Sequence, residues 1–227
     1  MFRDRDDAAR QLVQALAPIV GEGSPGQRPP GQRPLILAVP RGAVRMGRQI
    51  ADALGGDLDI VLVRKISARY QPELALGAID EQGEVHWTSA EAARRTDPMW
   101  LEYEKRQQLE LLQRRRERYR AGRAPLDPAG RVTIIIDDGL ATGSTMIAAL
   151  NAIRARRPAR LICAVPVGAP DSVRRVTPWA DQVICLETPA DFRAVSLHFE
   201  EFPQLDDEDV VRALAPPEAA PGQPVAE

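Results

Sequence analysis

The residues able to do chemistry concentrate in one short stretch of this chain, Ile134 to Thr145, which reads IIIDDGLATGST. Two adjacent carboxylates, Asp137 and Asp138, follow an apolar run and precede Gly139-Leu140 and a small polar turn, Ala141-Thr142-Gly143-Ser144-Thr145. That turn offers backbone N–H groups and three hydroxyls at the start of a helical pattern, where the helix dipole favours a phosphate dianion. The two acids do not share that anion, because like charges in contact repel; they want hydroxyl donors or a cation. A sugar phosphate meets both demands in one molecule. Either half alone is also ordinary turn and helix-cap chemistry; their juxtaposition favours a ligand. The turn holds no lysine of the GxxxxGK[ST] kind, and GxGxxG is absent, which disfavours an NTPase or a dinucleotide enzyme.

The elements that must position this stretch follow from hydrophobic patterning. Continuous Ile- and Val-rich runs at Leu35–Val39, Leu58–Val63, Val132–Ile136, Leu161–Val167 and Gln182–Leu186 predict strands buried on both faces. Helical patterns at Asp4–Ala17, Val44–Leu54, Ser144–Arg156 and Pro170–Val176 alternate with them. The expected fold class is α/β, a parallel sheet flanked by helices, with a small hood and a helical insertion. Ligands of such sheets bind at the carboxyl ends of the strands, where the Asp pair stands. Residues 1–214 are expected to form one domain. Within it, 21–34 (GEGSPGQRPPGQRP) is a flexible insertion, 89–121 a helical insertion broken near Asp97-Pro98, and 187–214 the hood candidate; after it, 215–227 is a disordered tail. Leu76 to Trp87 predicts a hairpin turning at Gln82-Gly83, and the preceding ISARYQPEL is read as a polar loop.

TIIIDDGLATGST, Thr133 to Thr145, resembles the phosphoribosyl-pyrophosphate (PRPP) motif of the type I phosphoribosyltransferases. The departure is Gly139, where many members carry an aliphatic residue. The chain further resembles a bacterial group, assigned to this family by motif, whose members begin FRDR, as Phe2 to Arg5 does here, and carry PRG and DDGLATG segments. The resemblance implies that Asp137 and Asp138 hold the ribose hydroxyls and stabilise positive charge on the ring, while Ala141, Thr142, Gly143, Ser144 and Thr145 cradle the 5-phosphate. It makes VPRGAVRMGRQIADAL the pyrophosphate loop, with Arg41, Gly42 and Ala43 as ligands and a cis peptide expected between Pro40 and Arg41. Lys65, with Arg64 beside it, would neutralise pyrophosphate; Glu73 would touch substrate as the following loop closes. Phe192 is the candidate for stacking on a base, though clustered aromatics more often pack a core. Mg²⁺ is the implied cofactor, held mainly by substrate and water.

The implied reaction is transfer of a 5-phosphoribosyl group from PRPP to a nitrogen nucleophile, such as a base, with release of pyrophosphate. A non-catalytic sensor of PRPP or a nucleotide, and nucleotide phosphorolysis or hydrolysis, stay open; the acceptor does not come with the resemblance. Composition narrows the rest. The 227 residues carry 30 basic and 32 acidic side chains, so no overall field draws nucleic acid or an anionic membrane. The Arg114–Arg116 run is interleaved with Glu110 and Glu117 and reads as a solvated helix face, along the domain edge or against a second copy in a homodimer. The charged N-terminus and the lack of any apolar run near 18 residues imply a cytoplasmic protein. Cys163 and Cys185 sit in apolar runs and read as core, and His86 and His198 are too isolated for a triad or metal.

Overall fold

A computed structural model of the chain describes residues 1–20, 29 and 31–215, with the side chains of 71–75 left out. Most of the expected insertion at 21–34, the tail beyond residue 215 and the side chain of Glu73 lie outside the described residues.

In chain order the elements are α1 (Arg5–Val20), β1 (Leu35–Ala38), α2 (Val44–Leu54), β2 (Asp57–Ile60), β3 (Val63–Ala68), β4 (Gln71–Asp80) and β5 (Val85–Trp87). There follow α3 (Ala90–Arg95), α4 (Pro98–Arg120), β6 (Val132–Ile136), α5 (Ser144–Ala155), β7 (Arg160–Val167), α6 (Pro170–Val176), β8 (Gln182–Glu187) and α7 (Asp207–Leu214). Five strands form one parallel sheet in the order β2-β1-β6-β7-β8. Its two faces bury alternate residues. Ile36, Ala38, Ile134, Ile136, Ile162 and Ala164 meet α1 and α2 on one side. Leu35, Leu37, Ile135, Leu161, Cys163 and Val165 meet Met146, Ala149 and Leu150 of α5 on the other. Cover on both faces is why these strands read as unbroken apolar runs.

The register sets the site. Ala38 lies opposite Ile136, so β1 and β6 end level, and the turns that leave them emerge side by side. From this pair the sheet is built outward in both directions, which makes the gap beyond β1 and β6 the switch point where open α/β sheets take ligands.

Three expectations are corrected. The run Leu58–Val63 is not one strand: β2 stops at Ile60, opposite the end of β1 at Ala38, and with no neighbour left to pair with, the chain turns away into β3. The segment read as a polar loop after Lys65 is instead the β3–β4 hairpin, part of a separate antiparallel sheet, β3-β4-β5. Its pairing slips at Ser67 on both sides, which hides the alternation that would mark a strand. Cys185 is only half-buried, beside Thr188, whereas Cys163 is fully enclosed; both thiols are free. Elsewhere the α3–α4 break falls at Asp97, whose side chain accepts from Met99 N–H at 2.9 Å to cap α4.

Candidate functional site

The residues around Asp137 are drawn together by close backbone approach. The peptide between Pro40 and Arg41 is cis, as expected from the PRG segment. The next residue, Gly42, lies against the acid pair: a Cβ there would sit 2.1 Å from Asp138 Oδ2, so no larger side chain fits without displacing the carboxylate. The Asp138 backbone N–H donates to Asp137 Oδ1 at 2.9 Å. Burial, and then the negative Asp138, push the Asp137 carboxyl well above the usual aspartate range, against the pull of that N–H and of Arg5. Beyond the pair, Leu140 bridges to Gly168 after β7, and Ser172 Oγ donates to the Ala141 carbonyl at 2.7 Å. These bonds hold the polar turn in place. Gly143 closes it with φ of 71°, a left-handed conformation that suits glycine, and α5 starts at Ser144. The Thr142 hydroxyl accepts from Ser144 N–H at 3.4 Å, so the loop is already folded over the helix start.

A cleft of about 520 Å³ opens beside this turn. Thr142, Ser144 and Thr145 line it on one side, Arg64, Lys65 and Ser67 on another, and Pro40 at its end. Hydroxyls and a helix N-terminus thus face cations across a polar hollow, the arrangement that suits a polyanion. The acid pair does not line the cleft; it is joined to it by the 40–43 turn, whose Pro40 lines the hollow and whose Gly42 rests on Asp138.

Other predicted residues are placed differently. Arg41 leans toward Asp207 at the start of α7, 3.7 Å away, rather than into the cleft. Asp207 also accepts from the Tyr119 hydroxyl at 2.6 Å, and burial with this bond pushes the Tyr119 phenol up to about 12. The Ala43 N–H is already bonded to the Val39 carbonyl at 3.3 Å. Phe192 stacks on His198, with centroids 5.3 Å apart and planes 11° from parallel, and packs against the core. Asp80, Glu84 and His86 converge, but Asp80 accepts from the backbone of Gln82 and Glu84 and pairs with His86 at 2.8 Å, which closes the β4–β5 turn on itself.

Two further sets of residues at the candidate site escape the sequence. The first is the inner face of α4: Glu104, Gln108 and Arg115 line the cleft, and Gln108 accepts from Arg64 Nε at 2.8 Å. Burial, and then the nearby Arg115, lower the Arg64 pKa against the opposing pull of Glu104. A helix that is charged all round gives no sequence signal for which charges face inward. The second is Arg5, whose side chain is 9 % exposed and which bonds Asp138 Oδ2 at 2.9 Å. A signal does exist here: Arg5 falls on the stripe Ala8, Leu12, Leu16, Val20 that α1 buries, an odd position for a charge without a partner.

The comparisons agree with this geometry. A family model described as the phosphoribosyl transferase domain matches residues 24–201. Two Mycobacterium tuberculosis proteins, from strains CDC 1551 / Oshkosh and ATCC 25618 / H37Rv and each named a candidate phosphoribosyl transferase, are 41% identical to it over 216 residues. The match takes in 94% of this chain and 46% of theirs, so the chain spans about half the length of these curated relatives. The crystal structure of TT1426 from Thermus thermophilus superposes with a TM-score of 0.85 at 41% identity, covering 94% of this chain and 97% of that one. With the Asp pair, the polar turn and the PRG loop all at the switch point of the matched sheet, the chain belongs to the phosphoribosyl transferase domain family.

Proposed function

We propose that this chain transfers a 5-phosphoribosyl group from PRPP to a nitrogen nucleophile, such as a base, releasing pyrophosphate. The observation that carries the reading is the cleft in which Arg64, Lys65 and Arg115 face the hydroxyls of Thr142, Ser144 and Thr145. A molecule with a phosphate at one end and a pyrophosphate at the other fits such a two-sided hollow better than a simple sugar phosphate does. Ala141 to Thr145 then take the 5-phosphate through N–H groups, hydroxyls and the helix dipole. The leaving pyrophosphate goes to Lys65, Arg64, Arg115 and the Arg41–Ala43 turn, with Arg41 released from Asp207. Asp137 and Asp138 receive the ribose hydroxyls and stabilise positive charge as it develops on the ring.

Mg²⁺ would neutralise pyrophosphate charge and orient it for departure. Asp138 Oδ2 is held by Arg5 and Asp137 Oδ1 by a backbone N–H, a poor donor set for direct coordination that fits a cation carried by substrate oxygens and water. Phe192, already paired with His198, is the aromatic candidate beside the acceptor. Residues 1–214 would act as one unit in the cytoplasm; among the described residues no helix is long and apolar enough to cross a membrane.

The test is pyrophosphate release from PRPP and Mg²⁺ against a panel of bases and amines, compared with the Asp137→Asn/Asp138→Asn double variant. Turnover lost in that variant is the expected result. PRPP that raises the melting temperature without turnover on any acceptor would support a sensor instead. If neither PRPP nor a nucleoside monophosphate stabilises the protein, the assignment fails.

A further inference from the structure

We infer that Arg5, in the first turn of α1, is a positioning residue of the ribose subsite: it fixes the Asp138 carboxylate so that Oδ2 is bound within the protein and Oδ1 is left for a ligand hydroxyl. The inference rests on the proposed role of Asp138. Arg5 donates to Asp138 Oδ2 from Nε at 3.2 Å and from Nη2 at 2.9 Å, and to the Pro203 carbonyl from Nη1 at 2.8 Å. The face of the guanidinium lies 3.7 Å from the centroid of the Phe202 ring. With 9 % of its side chain exposed, such a charge is tolerated only because its N–H groups are met.

The partner it meets is telling. The other buried arginines among the described residues, Arg120 and Arg131, pair with Asp59, Glu81 and Asp57; Arg5 ends on a carboxylate of the strand-end pair. The opposite flank of Oδ2 is closed by Gly42. The Arg5 bonds and the close approach of Gly42 both fall on Oδ2, and among the described residues no hydrogen bond reaches Oδ1. Two distant segments, the N-terminal helix and the PRG turn, thus meet at one carboxylate oxygen, and the Phe202-Pro203 stretch braces the guanidinium from behind. The FRDR opening of the chain is part of the site rather than a scaffold around it. Phe2, buried and bridged to Phe199, anchors the start of the chain so that Arg5 arrives in place.

Arg5 also acts on Asp137, which faces Asp138 from its own segment, Arg5 from α1 and Cys163 from β7. Arg5 is the cation that pulls the Asp137 carboxyl down, so without the guanidinium Asp137 holds its proton to higher pH.

The variants Arg5→Met, Arg5→Lys and Phe202→Leu test this, with melting temperature and far-UV circular dichroism recorded for each. Arg5→Met should bind PRPP about 10- to 100-fold more weakly, as expected for loss of a charge-assisted contact. Arg5→Lys should recover part of that affinity. Phe202→Leu, which removes the ring and keeps the bonds, should stay near wild type. An Arg5→Met protein that keeps wild-type affinity, or a Phe202→Leu loss equal to it, would overturn the inference. Should Arg5→Met not fold, Arg5→Lys decides, and wild-type affinity there is the overturning result. A readout without ligand separates this idea from the proposed function: the ¹³C-carboxyl titration of Asp137 should move to higher pH in Arg5→Lys and further in Arg5→Met. An unmoved titration overturns it even if the wild-type protein binds no PRPP.

Discussion

Gly139 occupies the position where the resembling family often carries an aliphatic side chain, and the structure shows what takes that space. A Cβ at residue 139 would meet the Val195 methyls at 2.7 and 2.8 Å and the Val167 carbonyl oxygen at 3.1 Å. None of these neighbours yields easily. Val195 is β-branched and restricted in χ1, and the Val167 carbonyl accepts from Leu140 N–H at 2.9 Å. Because φ at Gly139 lies outside the left-handed region, the penalty of Gly139→Ala is packing rather than backbone strain. Overpacking costs about 1–3 kcal/mol, against a gain of about 0.4–1 kcal/mol from a less flexible unfolded chain. The net loss of up to about 2.6 kcal/mol should lower the melting temperature by up to roughly 10 °C for a chain of this size. Val195→Ala alone removes two partly buried methyls and should cost on the order of 1 kcal/mol. In the double variant the Val195 contacts are gone and only the Val167 carbonyl at 3.1 Å remains, so its melting temperature should lie close to that of Val195→Ala alone, a coupling that scanning calorimetry on the four proteins would measure. Additive effects in the four proteins would refute the view that Val195 fills the missing side chain's place.

Two other perturbations follow from charge. Asp137→Asn, without ligand, should raise the melting temperature at neutral pH, because the folded carboxyl titrates well above its unfolded range and its ionisation opposes folding. The wild-type deficit should shrink as pH falls through the folded value and vanish below the ordinary aspartate range; a pH-independent difference would contradict the cause. Arg120→Met should be severe. Arg120 bonds Asp59 Oδ1 at 3.0 Å, Glu81, and the Ile60 carbonyl at 2.8 Å, with Asp59 and Glu81 only 5% and 8% exposed. Leaving Asp59 buried without a cation, and Glu81 with only the half-exposed Arg116 at 4.0 Å, costs about 3–5 kcal/mol, which chemical denaturation would detect as a lowered midpoint with little change in slope.

Much of this protein was legible before folding was considered. The ends of β6 and α2, the start of α5 and the break before α4 follow from short-range causes: apolar runs between two covering layers, the small residues of the Ala141–Thr145 turn, and an Asp-Pro cap. The Asp pair and its turn are neighbours in the chain, so their joint chemistry can be read from their order. Periodicity fails where register slips, as at Ser67, and where a strand ends because its neighbour does, as at Ile60.

What only the tertiary structure decided is which distant charges meet. Arg5 reaches Asp138 across 133 positions, and Arg120 reaches Asp59 across 61. Arg41 pairs with Asp207, and α4 turns Arg115 and Gln108 into the cleft although its pattern gives those positions no mark. Burial periodicity is a local property of a segment, and the sequence writes it openly. The partner of a charge depends on how layers pack and at what register, and that is settled only when the whole sheet closes. The stretch Ile134 to Thr145 thus announces its own half of the candidate site, and the fold adds Arg5 and Arg115 to the cations the sequence marks.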